Sequence, residues 1–179
     1  LPLCETSDAL QRLHLRPAEY VLATLHRPSN VDSAHNLREL MSALMELGRL
    51  SPVVFPVHPR TRRRLAQLHV NLNGSDVRLI DPLGYRDFLT LMRGARVVIT
   101  DSGGVQEETT YLRVPCLTLR CNTERPVTIT SGTNQLVEPT VRALVAAVGE
   151  LDGRRWDGAV PELWDGRAAE RIVDALLAT

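Results

Sequence analysis

A short run of small polar residues and glycines, Asp101-Ser102-Gly103-Gly104, follows an apolar run and precedes a stretch with helical spacing. Glycine lets a ligand approach the main chain without interference from a Cβ atom. Free amide groups and the positive end of a helix at such a turn suit an anion, above all a phosphate. The alternative is a tight turn whose serine caps the helix and binds nothing, and spacing alone leaves both interpretations open.

Two adjacent carboxylates, Glu107 and Glu108, stand one turn into the same predicted helix. Neighbouring helical residues point about 100° apart, so we expect only one of them to face the cleft beside the glycines. A carboxylate in that position could accept hydrogen bonds from both hydroxyls of a ribose. Acidic residues also favour the first half of a helix with no ligand present, which is an equally good explanation.

Further candidates follow other predicted strands. His26 and Arg27 come after the first strand, His58 after the second, and Arg125 beyond the fifth. In parallel sheets the ligands lie at the carboxyl ends of the strands, which is where all four would stand. Arg125 could meet a diphosphate, or it could form an ion pair with Glu124.

Four arginines, Arg60, Arg62, Arg63 and Arg64, look at first like a nucleic-acid patch. No aromatic residue lies between them to stack on bases, and the chain carries 21 basic and 21 acidic residues, for a net charge of zero. We therefore predict a solvated helix face and no nucleic-acid partner.

Composition excludes several kinds of chemistry. All 21 basic residues are arginine, so there is no lysine for a Schiff base, for a P-loop or for a kinase-type ATP site. The three cysteines, Cys4, Cys116 and Cys121, are irregularly spaced and match no zinc pattern. We predict reduced thiols, no metal and no cofactor.

Apolar runs alternate with amphipathic stretches along the chain. Strands are predicted at 20–25, 53–57, 77–80, 96–100, 114–119 and 135–137, and helices at 33–50, 60–69, 85–93, 105–112, 141–151 and 168–177. Strands and helices that alternate with short connections indicate a parallel sheet with helices on both faces. The sequence thus predicts an α/β fold: a doubly wound, Rossmann-like sheet of about six strands.

The chain contains no run near the roughly 18 consecutive apolar residues of a membrane span, and no signal-peptide pattern opens it. We expect no membrane partner and a cytoplasmic location.

Six segments together resemble the UDP-N-acetylglucosamine 2-epimerases, and the non-hydrolysing bacterial type is the most similar. In order and spacing they are LHRPSNVD (25–32), PVHPRT (56–61), LIDPLGY (79–85), ITDSGGVQEE (99–108), NTERP (122–126) and WDGRAAERI (164–172). The resemblance runs from about Tyr20 to the end of the chain.

The resemblance implies a GT-B-like architecture, in which a nucleotide sugar lies between two Rossmann-like domains. Residues 20–179 would be the C-terminal, UDP-binding domain, and 1–19 would be a linker to an absent N-terminal domain. The family interconverts UDP-N-acetylglucosamine (UDP-GlcNAc) and UDP-N-acetylmannosamine (UDP-ManNAc) by elimination and re-addition of UDP. Carboxylates of the N-terminal domain transfer the proton. A homodimer serving cell-envelope polysaccharide synthesis is also implied.

Residue by residue, the resemblance assigns the diphosphate to Ser102, Gly103 and Gly104 and the ribose to Glu108. Phe88 and the main chain near Leu83 would line the uracil pocket. Arg125 and His26 would face the phosphates, with His26 also catalytic.

Arg27 and His58 match a second, regulatory nucleotide-sugar site. There this chain reads His-Arg-Pro-Ser-Asn at 26–30 and His-Pro-Arg at 58–60, unlike the usual His-Arg-Arg-Glu-Asn and His-x-Asn-Pro.

Three alternatives share the same nucleotide site. They are a hydrolysing epimerase that releases free N-acetylmannosamine, the nucleotide domain of a GT-B glycosyltransferase, and a module that binds UDP-sugars without turnover.

Overall fold

A single parallel sheet organises the chain, which a computed structural model describes over residues 7–151 and 158–178. Its strands are Val21–Thr24 (β1), Val53–Pro56 (β2), Val77–Ile80 (β3), Val97–Thr100 (β4), Cys116–Thr118 (β5) and Asn134–Leu136 (β6). They pair in parallel in the order β3-β2-β1-β4-β5-β6. This is the doubly wound order: successive strands are added towards one edge of the sheet from β1 to β3 and towards the other edge from β4 to β6. The predicted fold class is confirmed.

The helices surround this sheet. They are Ala9–Arg12 (α1), Pro28–Val31 (α2), Ala34–Gly48 (α3), Pro59–Gln67 (α4), Tyr85–Gly94 (α5), Gly103–Leu112 (α6), Val127–Thr130 (α7), Val141–Glu150 (α8) and Ala168–Leu177 (α9). The sequence does not predict α1, α2 or α7, because a single turn of four residues is too short to show helical periodicity. Ser33 caps α3, since its hydroxyl accepts from the Asn36 amide at 3.3 Å.

Two apolar cores lie on opposite faces of the sheet. In the central strand β4, Val97 and Ile99 pack with α3 and α8, whereas Val98 packs on the other face with α5 and α6. Side chains alternate between the faces of a strand, so a strand buried on both faces is apolar at every position. This double burial leaves the ends of the strands as the place where polar side chains can gather.

The segment 1–19, for which the sequence predicts a linker, packs against the domain in its described part. Helix α1 contacts α5, and Ala9 and Leu15 are buried in the core. Leu13 and Leu10 pack against the same core, which gives this segment the apolar contacts of a domain element. No helix among residues 7–151 and 158–178 is both long and apolar enough to cross a membrane.

Candidate functional site at the carboxyl edge of the sheet

The loops after β1, β4 and β5 meet at the middle of the carboxyl edge. Asp101, directly after β4, accepts hydrogen bonds from the loop after β1, and the Asn30 amide of α2 donates to Leu119 O after β5 at 3.2 Å. These contacts join three segments that are far apart in the sequence. The predicted candidates on these loops therefore belong to one region of the surface.

The junction of the three loops is the Asp101 carboxylate, which is fully buried. It accepts from the main-chain amides of His26 and Arg27 at 3.1 and 3.0 Å and from Asn30 Nδ2 at 3.0 Å. A buried charge is very costly unless hydrogen bonds replace its water. Here these three donors, two from the loop after β1 and one from α2, meet that need, and they fix this segment to the end of β4 at the same time. Sequence reasoning does not single out Asp101, although it stands within the DSGG segment.

His26 receives its orientation from the same carboxylate. Its Nδ1 lies 3.0 Å from Asp101 Oδ1, and 57% of its side chain is exposed. A carboxylate beside Nδ1 favours the tautomer with the proton on that nitrogen, which leaves Nε2 as the atom available to a ligand.

The glycine turn begins helix α6. Ser102 is the N-cap residue with an extended backbone (φ −90°, ψ 131°), and the helix begins at Gly103, two residues before the predicted start. The Ser102 side chain makes no capping hydrogen bond, so the alternative in which its hydroxyl caps the helix is not what the structure shows. A Cβ atom at the exposed Gly104 would meet nothing within 4 Å. The first amides of α6 are thus approachable from outside.

Arg125 lies across this turn. A Cβ atom built on Gly103 would stand only 3.4 Å from the Arg125 guanidinium carbon. Arg125 Nε is 2.9 Å from Glu107 Oε1. The alternative of an ion pair with Glu124 is wrong, because Glu124 forms a bidentate pair with Arg120 at 2.7 and 2.8 Å. The arrangement sets one guanidinium beside the first turn of a helix.

A cleft of about 270 Å³ lies along α6, beginning one turn after the glycines. It is lined by Tyr85, Leu89, Glu107, Glu108, Tyr111, Leu112 and Trp164. Both glutamates line it, whereas Gly103 and Gly104 do not, so which of the two glutamates faces a ligand at the glycine turn stays a prediction. The aromatic residues of this cleft are missed by sequence reasoning, because exposed tyrosines on helices resemble ordinary surface residues.

Glu108 is half-buried in this cleft, and its pKa is raised. Burial is the main cause, because it disfavours the charged form, and the neighbouring negative charge of Glu107 adds to it. A hydrogen bond with Tyr85 lowers the pKa and opposes both. The carboxylate is therefore poorly solvated and has capacity to accept further hydrogen bonds.

Leu83 and Phe88 are partly buried against the core beneath α5 and do not line the cleft itself. Arg27 belongs to the Asp101 cluster, where its Nε donates to the Asp101 carbonyl at 3.1 Å. His58 instead caps α4, accepting from the Arg60 amide at 3.2 Å. Within the described residues no hydrogen bond or ion pair joins Arg27 to His58.

Two of the four arginines of α4 pair with acidic side chains, and a third donates to a main-chain carbonyl. Arg60 contacts both carboxylate oxygens of Asp32 at 3.0 Å, and Arg62 contacts Asp81 at 3.2 Å. Arg64 donates to the Asp32 carbonyl at 3.2 Å. These pairs make the helix face an ion-paired surface.

The described residues contain no group of three or more His, Cys, Asp or Glu side chains that could hold a metal ion. Burial raises the pKa of the Cys116 thiol to about 11, and Cys121 is exposed. Cys4 lies outside the described residues.

Fold and site together define a Rossmann-like domain with a helix N-terminus and an arginine at the topological switch point of its sheet, where such domains bind nucleotides. The chain belongs to the UDP-N-acetylglucosamine 2-epimerase family, whose model matches residues 3–177.

Individual relatives support this assignment. The UDP-N-acetylglucosamine 2-epimerase of Methanocaldococcus jannaschii is 38% identical over 163 residues, which cover 88% of this chain and 44% of that protein. A UDP-2,3-diacetamido-2,3-dideoxy-D-glucuronate 2-epimerase of Pseudomonas aeruginosa is 36% identical, with 88% and 44% covered. The M. jannaschii enzyme in complex with UDP-GlcNAc and UDP superimposes with a TM-score of 0.85 at 34% identity, over all of this chain and 51% of that one. The chain therefore spans about half the length of these relatives.

Replacing Asp101 by Asn is expected to lower the free energy of unfolding by about 2–4 kcal/mol, because an amide nitrogen would then face donors inside the protein. Chemical denaturation measures this loss. Asp81→Asn is the control, since Asp81 is an exposed partner of Arg62 and its change should leave the denaturation midpoint almost where it was. Equal effects of the two changes would contradict the role given to Asp101.

Glu108→Gln is expected to raise the thermal midpoint at pH 7. A raised pKa means that the folded state holds the proton more tightly than the unfolded state, so ionised Glu108 costs stability at pH values above its pKa. The advantage of the glutamine should shrink as the pH falls through the raised pKa and vanish below the ordinary value of 4.5. Thermal melts across this range test it. Glu107→Gln, which loses the partner of Arg125, should show no such gain, and a pH-independent difference for Glu108→Gln would refute the explanation.

Proposed function

We propose that this chain is the UDP-binding domain of a non-hydrolysing UDP-GlcNAc 2-epimerase, which interconverts UDP-GlcNAc and UDP-ManNAc. The observation that carries the proposal is the placement of the Arg125 guanidinium against Gly103 at the start of α6. The similarity to an enzyme solved with UDP-GlcNAc and UDP supports it.

The diphosphate of UDP would bind at the first turn of α6. The amides of Gly103 and Gly104 point out of the helix N-terminus, and an anion there gains from both the free donors and the helix dipole. The uncommitted Ser102 hydroxyl would add a further donor. Arg125 would contribute the charge, exchanging part of its contact with Glu107 for the phosphates. A net-neutral chain can hold a dianion in this way because the attraction is local.

The nucleoside would extend along α6. The poorly solvated carboxylate of Glu108 would accept hydrogen bonds from the two ribose hydroxyls. Charge-assisted hydrogen bonds of this kind are stronger than neutral ones. Phe88 and the main chain near Leu83 would form the wall of the uracil pocket beside the cleft.

In the reaction itself the C2 proton leaves to a base while the C1–O bond breaks, and the electron pair of that bond departs with UDP. The resulting 2-acetamidoglucal takes UDP back at C1 and a proton at C2 from the other face. This chain would stabilise the charge that develops on the leaving diphosphate, which is the part of the barrier that preorganised donors lower. His26 would act at the same place through Nε2, held in position by Asp101. No cofactor takes part in these steps.

The other elements of the proposal lie outside this domain. Carboxylates of an N-terminal domain would move the C2 proton, and the whole protein would work as a cytoplasmic homodimer that supplies cell-envelope polysaccharides. Arg27 and His58 would contribute to a regulatory nucleotide-sugar site between domains.

A second candidate substrate is favoured by one observation, the 36% identity to an epimerase of a UDP-diacetamido-glucuronate. The UDP group is the same in both substrates, so the site described above fits either. The sugar would be distinguished by residues that lie beyond this edge.

The nucleotide proposal is tested by binding UDP and uridine to the chain in NMR titrations. UDP should bind more tightly than uridine, because uridine lacks the diphosphate. Gly104→Val should abolish UDP binding and leave the fold intact, since a side chain at this position meets no protein atom within 4 Å but stands where the phosphates must approach. Gly149→Val on α8 is a matched control, because it also meets nothing within 4 Å. Normal UDP binding by Gly104→Val, or equal affinity of the parent for uridine and UDP, would contradict the proposal that the diphosphate binds at this turn.

The chain alone is expected to leave UDP-GlcNAc unchanged, because the proposed proton-transfer groups are not part of it. NMR of UDP-GlcNAc incubated with the chain should show no UDP-ManNAc, and turnover would contradict the division of labour. For the whole enzyme, release of free N-acetylmannosamine would favour the hydrolysing type, and transfer to an acceptor would favour a glycosyltransferase.

A further inference from the structure

The loop that carries Arg125 rests on a network of buried polar side chains that the proposed function does not use. Its members come from five different elements or loops, and all but the half-buried Thr123 are buried: Gln106, Thr118, Thr123, Thr128 and Asn134. Gln106, Thr118 and Thr128 are completely buried. Most polar groups at this depth are hydrogen-bonded, so the pattern of their bonds is informative. Gln106 Nε2 is an exception, since it is buried without a hydrogen-bond partner.

Gln106 on α6 is the centre of the network. Its Oε1 accepts from the Thr123 hydroxyl at 2.6 Å and from Asn134 Nδ2 at 3.2 Å. The Thr123 oxygen in turn accepts from the main-chain N–H of Arg125 at 3.0 Å. One path of hydrogen bonds thus runs from the helix of the glycine turn to the main chain of Arg125.

A second path reaches the same residue from the other side. Asn134 Nδ2 also donates to the Thr128 oxygen at 3.2 Å, and the Thr128 hydroxyl donates to the Arg125 carbonyl at 2.8 Å. Thr118 donates to Asn134 Oδ1 at 2.6 Å, which sets the orientation of that amide. Both main-chain polar groups of Arg125 are therefore tied to one network.

The closeness of Arg125 to the glycine turn makes this anchoring consequential. A Cβ atom added to Gly103 would lie 3.4 Å from the guanidinium carbon, so the guanidinium lies directly beside the first turn of α6. Apolar residues could fill the same volume, but hydrogen bonds with fixed donors and acceptors define a single register for the loop. Because Gln106 belongs to α6, the network fixes the main chain of Arg125 relative to the same helix whose first turn lies beside the guanidinium.

We propose that Gln106 and Thr123 are positioning residues that hold Arg125 for the diphosphate of a bound nucleotide. The proposal rests on the proposed UDP function, and it adds residues that would touch no part of the ligand. A positioning role requires that their loss weakens UDP binding selectively, because uridine makes no use of Arg125.

The test is Thr123→Val, which keeps the shape of the side chain and removes the hydroxyl, with Thr123→Ser as the matched control. NMR titrations of both variants should give a UDP dissociation constant raised about tenfold in the valine variant, as for the loss of a buried hydrogen bond. Its uridine constant, and both constants of the serine variant, should stay within about twofold of the parent. In the double variant Thr123→Val with Arg125→Ala, UDP affinity should equal that of Arg125→Ala alone, since the hydroxyl acts through the arginine.

Thr128→Val provides a second route to the same result, because it removes the hydroxyl bond to the Arg125 carbonyl, keeps the main-chain bond from Thr128 N–H to that carbonyl, and leaves Thr123 in place. It serves if Thr123→Val does not fold. Unchanged UDP binding, an equal loss for uridine, or full additivity with Arg125→Ala would overturn the positioning role. A parent chain that binds no UDP would overturn the proposed function together with this inference, whereas a parent that binds UDP beside an unaffected valine variant would overturn this inference alone.

Discussion

The buried carboxylate of Asp101 is the constraint on which the candidate site at the carboxyl edge of the sheet depends. It follows the central strand β4, where water cannot reach it, so the protein must provide all of its hydrogen-bond donors. Those donors come from the loop after β1 and from α2, and they can converge on one point only when that loop is folded in one way. The same interaction orients His26 and places Arg27. A single desolvated charge thereby converts three independent loops into one preformed surface, and the cost of burying it is offset by main-chain amides that would otherwise need partners.

The sheet could be predicted from the sequence because burial on both faces leaves an unambiguous pattern. The run Val97-Val98-Ile99 is apolar at every position, and glycines or polar residues follow it at once. One-turn helices such as α2 and α7 escape prediction for a physical reason. They are stabilised by tertiary hydrogen bonds, among them the bond from Asn30 to Asp101, and they have no apolar stripe of their own. The start of α6 at Gly103 is hidden likewise, because glycines are poor helix formers and only the fold places them in the first turn.

The candidate site shows the same division between local and distant causes. The glycine turn is a local feature of the sequence, and its position at a helix N-terminus follows from the strand that precedes it. The partners of charged residues are not local. Arg125 pairs with Glu107, eighteen positions earlier, and leaves its neighbour Glu124 to Arg120. Proximity in the sequence favours the wrong pair here, because the loop after β5 folds back over α6. Asp101 and Gln106 are missed for a related reason: each looks like an ordinary member of a turn or helix until burial shows what it must satisfy.

Two kinds of polar group therefore divide the work of an anion site in a chain with no net charge. Asp101 and the Oε1 atom of Gln106 are buried and hydrogen-bonded, and through these bonds they hold main-chain segments in place. Arg125 and Glu108 are only partly buried, and each keeps hydrogen-bonding capacity that its surroundings do not fill. Burial raises the pKa of Glu108, and Glu107 takes up part of the charge of Arg125. A ligand with hydroxyls for the one and phosphates for the other would relieve both conditions. Asp101 and Gln106 fix the geometry of the site, and the free-energy cost of burying them is offset when the protein folds. Arg125 and Glu108 are incompletely solvated, so they can still form favourable interactions with a ligand. In the proposed function, this separation would let a small domain stabilise a leaving group that becomes more negative as its bond to the sugar breaks.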